Sequence, residues 1–147
     1  MNKQLQQQNL RELAKLTLLN ILSAKGVIYT YYKQQQEREN MGYTNYWTSK
    51  RAFTDDEWKR VKDEYEWLKE MGEGIIIDQT KLTSEIVFNG NPKDEQDHET
   101  FYINKANVYD GFSFCKTARK PYDLAVWHLL YFINNETRAM KSISRDR

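Results

Sequence analysis

The run of apolar and polar positions divides the chain into two strong helices and several short strands. Residues 124–133 (LAVWHLLYFI) are ten consecutive positions of which only His128 is strongly polar. A helix that is apolar all round, in a soluble chain, is a buried helix. Pro121, at its expected first position, suits a helix entry. Upstream, Phe112 and Phe114 open a short strand, and Lys116, Arg119 and Lys120 form a basic loop between strand and helix. The second helix announces itself through Thr54-Asp55-Asp56-Glu57, a T-x-x-E capping box with acidic residues in the first turn. Trp58, Val61, Tyr65 and Leu68 then recur at steps of three and four. Lys59, Arg60, Lys62, Asp63, Glu64 and Glu66 are left on the outer side, and the helix ends near Gly72 or Gly74.

Strand signals fill the intervals. Tyr43, Thr44, Tyr46, Trp47 and Thr48 predict a strand within residues 41–50. Residues 75–77, 85–88 and 100–103 predict three more. Asn89-Gly90-Asn91-Pro92 is turn chemistry, and residues 93–99 read as a charged loop. Beyond Asn134 the chain is polar and basic, and the expectation is a continued helix that frays. Strands in close succession without intervening helices point to an α+β fold. The expected form is an antiparallel sheet of about four to five strands with two helices packed on it, plus an N-terminal helix.

Residues 1–40 differ from the rest, being Gln-rich at both ends, with apolar residues at Leu10, Leu13, Leu16 and Leu19 near helical spacing. The chain divides into an N-terminal helical extension, 1–40, and an α+β domain, 41–147. Three readings of the extension stand: a helix packing on its own domain, an oligomerisation helix, or a segment preceding a native start at Met41. The codons for residues 36–40 would be purine-rich, as a bacterial ribosome-binding site is.

Composition narrows the class. Net charge is +1, so no global basic field argues for nonspecific nucleic-acid binding. Aromatic residues make up 14%, with ten Tyr and four Trp, which suits a compact core or a binding surface. The single cysteine, Cys115, excludes an internal disulfide framework and fits a reducing cytosol. No apolar run approaches the roughly 20 residues of a membrane span, and the start lacks a signal-peptide pattern. A soluble cytoplasmic protein with no membrane partner is expected.

At MGYTNYW, the Trp-bearing charged helix, NG, HETF and FCKTARKPYD, the chain resembles a family of small uncharacterised proteins encoded mainly by bacteriophages and prophages. The similarity spans residues 41–130, and FCKTARKPYD (residues 114–123) is its most specific part. Members often carry His where this chain has Asn45. The resemblance implies a phage accessory protein in the host cytoplasm, and leaves the mechanism open.

The basic loop is the leading candidate for chemistry. A helix's first turn leaves N–H groups without partners and carries partial positive charge. Lys116, Thr117, Arg119 and Lys120 beside it predict a phosphate or carboxylate site. The alternative is that these charges are balanced by Asp123 or acidic neighbours. His98 and Glu99, with Asn89, Tyr43 and Tyr46, are candidates for a polar pocket reading a base or ribose. His128 reads as a core histidine, and Cys115 as an inert packed thiol. Two histidines and one cysteine without ligand spacing predict no metal and no cofactor. No nucleophile–base arrangement assigns a catalytic residue. The reading that follows is non-enzymatic binding of a nucleotide or other phosphorylated ligand, sequestering a host defence signal. One alternative is a protein–protein inhibitor of a host defence or replication enzyme, acting through the acidic helix or the N-terminal segment. The other is a small nucleotide-processing enzyme using His98 and Glu99.

Overall fold

The computed structural model describes residues 3, 4, 6, 8, 9, 11, 13, 43–107 and 111–146. The N-terminal helix expected over residues 1–40, and oligomerisation through it, fall for the most part outside these residues. The described elements run in the order β1 (Thr44–Ser49), α1 (Asp55–Met71), β2 (Ile76–Asp78), β3 (Glu85–Gly90), a short 3₁₀ turn (Lys93–Glu95), β4 (Phe101–Asn104), β5 (Phe112–Lys116), α2 (Asp123–Glu136) and β6 (Met140–Arg145). The fold is α+β. Its strands form two three-stranded antiparallel sheets, ordered β5–β1–β6 and β2–β3–β4.

Local sequence explains α1. The Thr54 hydroxyl accepts from the Glu57 N–H at 3.2 Å, and the Glu57 carboxylate accepts from the Thr54 N–H at 2.9 Å. These bonds satisfy donors that a helix start would otherwise leave open. The helix stops at Gly72, where an added Cβ would meet Ile76 Cδ1 at 2.7 Å, because β2 turns back tightly there. Trp58, Val61, Tyr65 and Leu68 are buried as their spacing predicts. Glu64, expected on the outer side, is fully buried. It faces α2, where His128 Nε2 lies 2.9 Å from Oε1, and Arg11 Nε lies 3.0 Å from Oε2. Two neighbours, a sheet and a helix, cover a wider arc of α1 than its apolar stripe. The extra arc is closed by an ion pair. His128 is thereby a partnered core histidine, with the Trp67 ring 5.8 Å away.

Much of the aromatic content joins the two sheets. Tyr65, Phe88, Phe101 and Trp47 follow one another with ring centroids 5.4, 5.1 and 5.3 Å apart, leading from α1 through β3 and β4 to β1. Helix α2 closes this core with Ala125, Val126, Leu129, Leu130, Phe132 and Ile133. The tail corrects the expectation of a fraying helix. Thr137 adopts an extended conformation at the end of α2, and β6 pairs with β1, setting Arg145 opposite Asn45 and Ile143 opposite Trp47. Strand β1, flanked on both sides, is the centre of its sheet.

Glu57 also ties the start of α1 to the segment after α2. Its carboxylate takes the Arg51 guanidinium at 2.7 and 3.2 Å and the Arg138 N–H at 2.9 Å. The Arg51 hydrogen bonds come first among the causes that hold its pKa down at about 2, with burial opposing them. A depressed folded-state pKa stabilises above the unfolded value, and that stability is lost as pH falls through the folded value. Glu57→Gln is therefore expected to lower stability by about 2 kcal/mol near neutral pH, with the difference shrinking from about pH 4.5 and vanishing near pH 2. Urea titrations of both proteins across this range check it. A pH-independent difference would show that the carboxylate charge is not the cause.

Candidate functional site

The corner between β5 and α2 is built on Tyr43, just ahead of β1. Its carbonyl accepts from the Thr117 N–H at 2.9 Å and the Ala118 N–H at 3.1 Å. Lys120 then donates its N–H to Thr117 O at 3.0 Å, closing a four-residue turn. Ala118 and Arg119 sit at its centre with φ of 51° and 57°, as in the primed hairpin turns that usually take Asn or Gly. Each side chain in that region costs about 1–2 kcal/mol. The turn is thus held by its surroundings.

Those surroundings converge on Asp123, the first residue of α2. Its buried carboxylate accepts from Asn45 Nδ2 at 2.7 Å, from the Thr117 hydroxyl at 2.5 Å and from the Arg145 guanidinium at 2.5 Å. The negative charge that a helix start favours is therefore supplied by the protein's own Asp123. Arg145 lies 4.9 Å from the ring centres of both Tyr43 and Trp127, and Arg119 stacks on Tyr43 at 4.4 Å. Burial is the largest influence on the Tyr43 phenol and raises its pKa. Pro121, expected as the first helical residue, lies in the turn leading into α2.

The structure also brings His98 and Glu99 to this corner. His98 is exposed, with Nδ1 2.8 Å from the Lys116 carbonyl oxygen. Glu99 accepts from the Lys116 N–H at 2.8 Å and donates its own N–H to Lys116 O at 3.1 Å. Tyr122, fully buried, donates its hydroxyl to Glu99 O at 2.6 Å. Asn89 works beneath them as a staple. Its amide donates to His98 O at 2.9 Å and Thr100 Oγ1 at 3.2 Å, and accepts from the N–H groups of Gly90 and His98. Its amide is engaged on both sides within the loop. Cys115 is buried, and burial, ahead of the nearby Glu99, pushes its thiol up to about 12, the behaviour of an inert packed thiol.

Of the predicted residues, Lys116, His98 and Glu99 meet on one side of the corner and Arg119 meets Tyr43 on the other, while Lys120 closes the turn through its backbone N–H. Thr117 lies buried between them. Tyr46 is elsewhere. Strand alternation carries it to the outer face of the β5–β1–β6 sheet, where its ring lies 6.1 Å from Phe112, itself 6.3 Å from Phe114. Phe112 and Phe114 are more than half exposed. The inner positions of these strands are held by Cys115, Asn45, Trp47 and Ile143, which leaves the phenylalanines outside. Lys116 is the next outward position on β5.

Sequence reasoning missed Asn45, Asp123 and Arg145 as the organising cluster, and missed the outward aspect of Phe112 and Phe114. The alternation in FSFCK was the available signal, but it does not say which face is covered. Elsewhere, a cleft of about 430 Å³ runs beside α1, lined by Trp58, Lys62 and Thr83 among others. Its Lys59 and Lys105 are paired with Asp63 and Asp55, which removes most of its positive character. Among the described residues, no group of three His, Cys, Asp or Glu could hold a metal, and no helix is long and apolar enough to cross a membrane. No family profile, curated protein or solved structure matches the chain.

Proposed function

We propose that the protein binds a nucleotide or other phosphorylated ligand at the β5–α2 corner without chemically transforming it. The observation that carries this reading is a surplus of positive charge on a rigid turn. Four cations, Lys116, Arg119, Lys120 and Arg145, stand against three carboxylates at the corner: Asp123, which takes Arg145, Glu99, which takes the Lys116 N–H, and Asp146, which takes the Thr44 N–H. The resemblance of the corner's motif to phage and prophage proteins supports a setting in the host-cell cytoplasm. There, the protein acts as an accessory factor that sequesters a host signal. Glu99 is engaged by a backbone N–H and Cys115 is an inert thiol, which favours binding over turnover.

Lys116→Ala and Lys120→Ala are the clean tests, because Arg119 also packs on the Tyr43 ring. Each lysine is expected to contribute about 1.5–3 kcal/mol to ligand binding through charge-assisted hydrogen bonds. The loss to stability from removing an exposed charge is about 0–1 kcal/mol. A calorimetric screen of nucleotides and phosphorylated metabolites, with and without added salt, measures the first, and thermal melting the second. Binding weakens with salt because exposed charges are screened. Absence of binding by any phosphorylated compound would overturn the proposal. Product formation from the bound ligand would replace it with the enzymatic alternative.

A further inference from the structure

We infer that the outer face of the β5–β1–β6 sheet is a base-stacking surface, and that the ligand is a single-stranded oligonucleotide rather than a mononucleotide. This rests on the phosphate-binding reading of the adjoining turn. Three rings, Tyr46, Phe112 and Phe114, touch one another in sequence across two strands, with centroid separations of 6.1 and 6.3 Å. One nucleotide needs a single ring, whereas a row of three offers stacking area to more than one base. Every base has a π-face, so such a row is tolerant of sequence. Burying two phenylalanines in a core would be the default for this sequence pattern, yet 58% and 53% of their surface stays open.

Charge selects the occupant. The outward positions of the three strands carry Ser, Thr, the aromatic row and Lys116, and the nearest carboxylate, Asp146 just past β6, is held by the Thr44 N–H at 3.0 Å. Lys116 follows Phe112 and Phe114 at the next outward step on β5, so a base over Phe114 sets its phosphate toward Lys116 and the basic turn. Bases on an aromatic strip with phosphates on an adjoining cationic edge is the chemistry of single-strand binding.

The test uses fluorescence anisotropy on the full chain with oligo(dT) and oligo(rU) of about ten nucleotides, alongside the corresponding 5′-monophosphates. The oligonucleotides are expected to bind at least about tenfold more tightly than the monophosphates. Phe112→Ala and Phe114→Ala should each weaken oligonucleotide binding about tenfold, with Phe114→Leu, which keeps apolar bulk without a π-face, close behind. Contact with about three phosphates implies a log–log salt slope near −2. Equal affinity for oligonucleotides and monophosphates would overturn this inference and leave the phosphate-binding reading standing. Absence of binding to either would remove both. Unchanged oligonucleotide binding in the phenylalanine variants would also overturn it. So would sedimentation showing that they only convert a dimer to a monomer, since the face would then be covered by a second copy.

Discussion

Replacing Asp123 by alanine is expected to destabilise the protein by about 3–5 kcal/mol, because it strips the acceptor from two buried donors, Asn45 and Thr117, and the counter-charge from a half-buried arginine. Three elements lose a shared acceptor at once: Asn45 on β1, Thr117 at the turn and Arg145 on β6. Arg145 loses its counter-charge where its guanidinium lies between the Tyr43 and Trp127 rings and is only partly open to water. The loss therefore measures unpaired donors and an uncompensated charge rather than the worth of the original cluster. Arg145→Met in the same protein should recover part of it, since an apolar chain between the two rings leaves no charge to neutralise. Urea unfolding of the two single variants and the double variant gives the coupling. A loss below about 1 kcal/mol for Asp123→Ala would mean that the corner is solvated and that its turn is not held by this carboxylate.

Trp58→Ala is the second large effect, about 3–5 kcal/mol. The ring is almost wholly buried, packs on Phe53 at a centroid distance of 5.4 Å and donates its indole N–H to Thr83 O at 2.9 Å. Alanine leaves a cavity under α1 and an unsatisfied carbonyl on the β2–β3 connection. Trp58→Phe separates the two contributions. It restores most of the apolar bulk but not the hydrogen bond, and is expected to lose a smaller share, on the order of 1–2 kcal/mol. Thermal and urea melts of both variants report it. Should Trp58→Ala cost less than about 1 kcal/mol, this face of α1 is open, and the partner-binding alternative gains instead.

Helix α1 was legible in the sequence in nearly every particular. Its capping box, acidic first turn, core stripe and glycine stop depend on residues within four positions of one another, and such contacts are the same in any fold. The strands at residues 85–90 and 101–104, the buried character of α2 and the α+β class were legible for the same reason. The candidate site was legible in part. The basic turn before a buried helix was visible, whereas His98 and Glu99, expected as pocket residues, were not expected to bond to the backbone of Lys116.

What lay beyond the sequence depends on partners far away in the chain. Glu64 reads as a surface residue until α2, some sixty positions later, brings His128 over it. MKSISR reads as a polar tail until the free edge of β1 takes it up as β6. The anion at the start of α2 looks like a vacancy for a ligand until Asp123 gathers Asn45, Thr117 and Arg145 from three separate elements. Period-two alternation puts Phe112 and Phe114 on one face, but only the sheet's placement over Trp47 and Cys115 turns that face to solvent. Local periodicity and capping belong to the sequence because they are short-range. Which face is covered, and which charge finds a partner, belongs to the tertiary structure, because covering and pairing are made by residues that meet only in the folded chain.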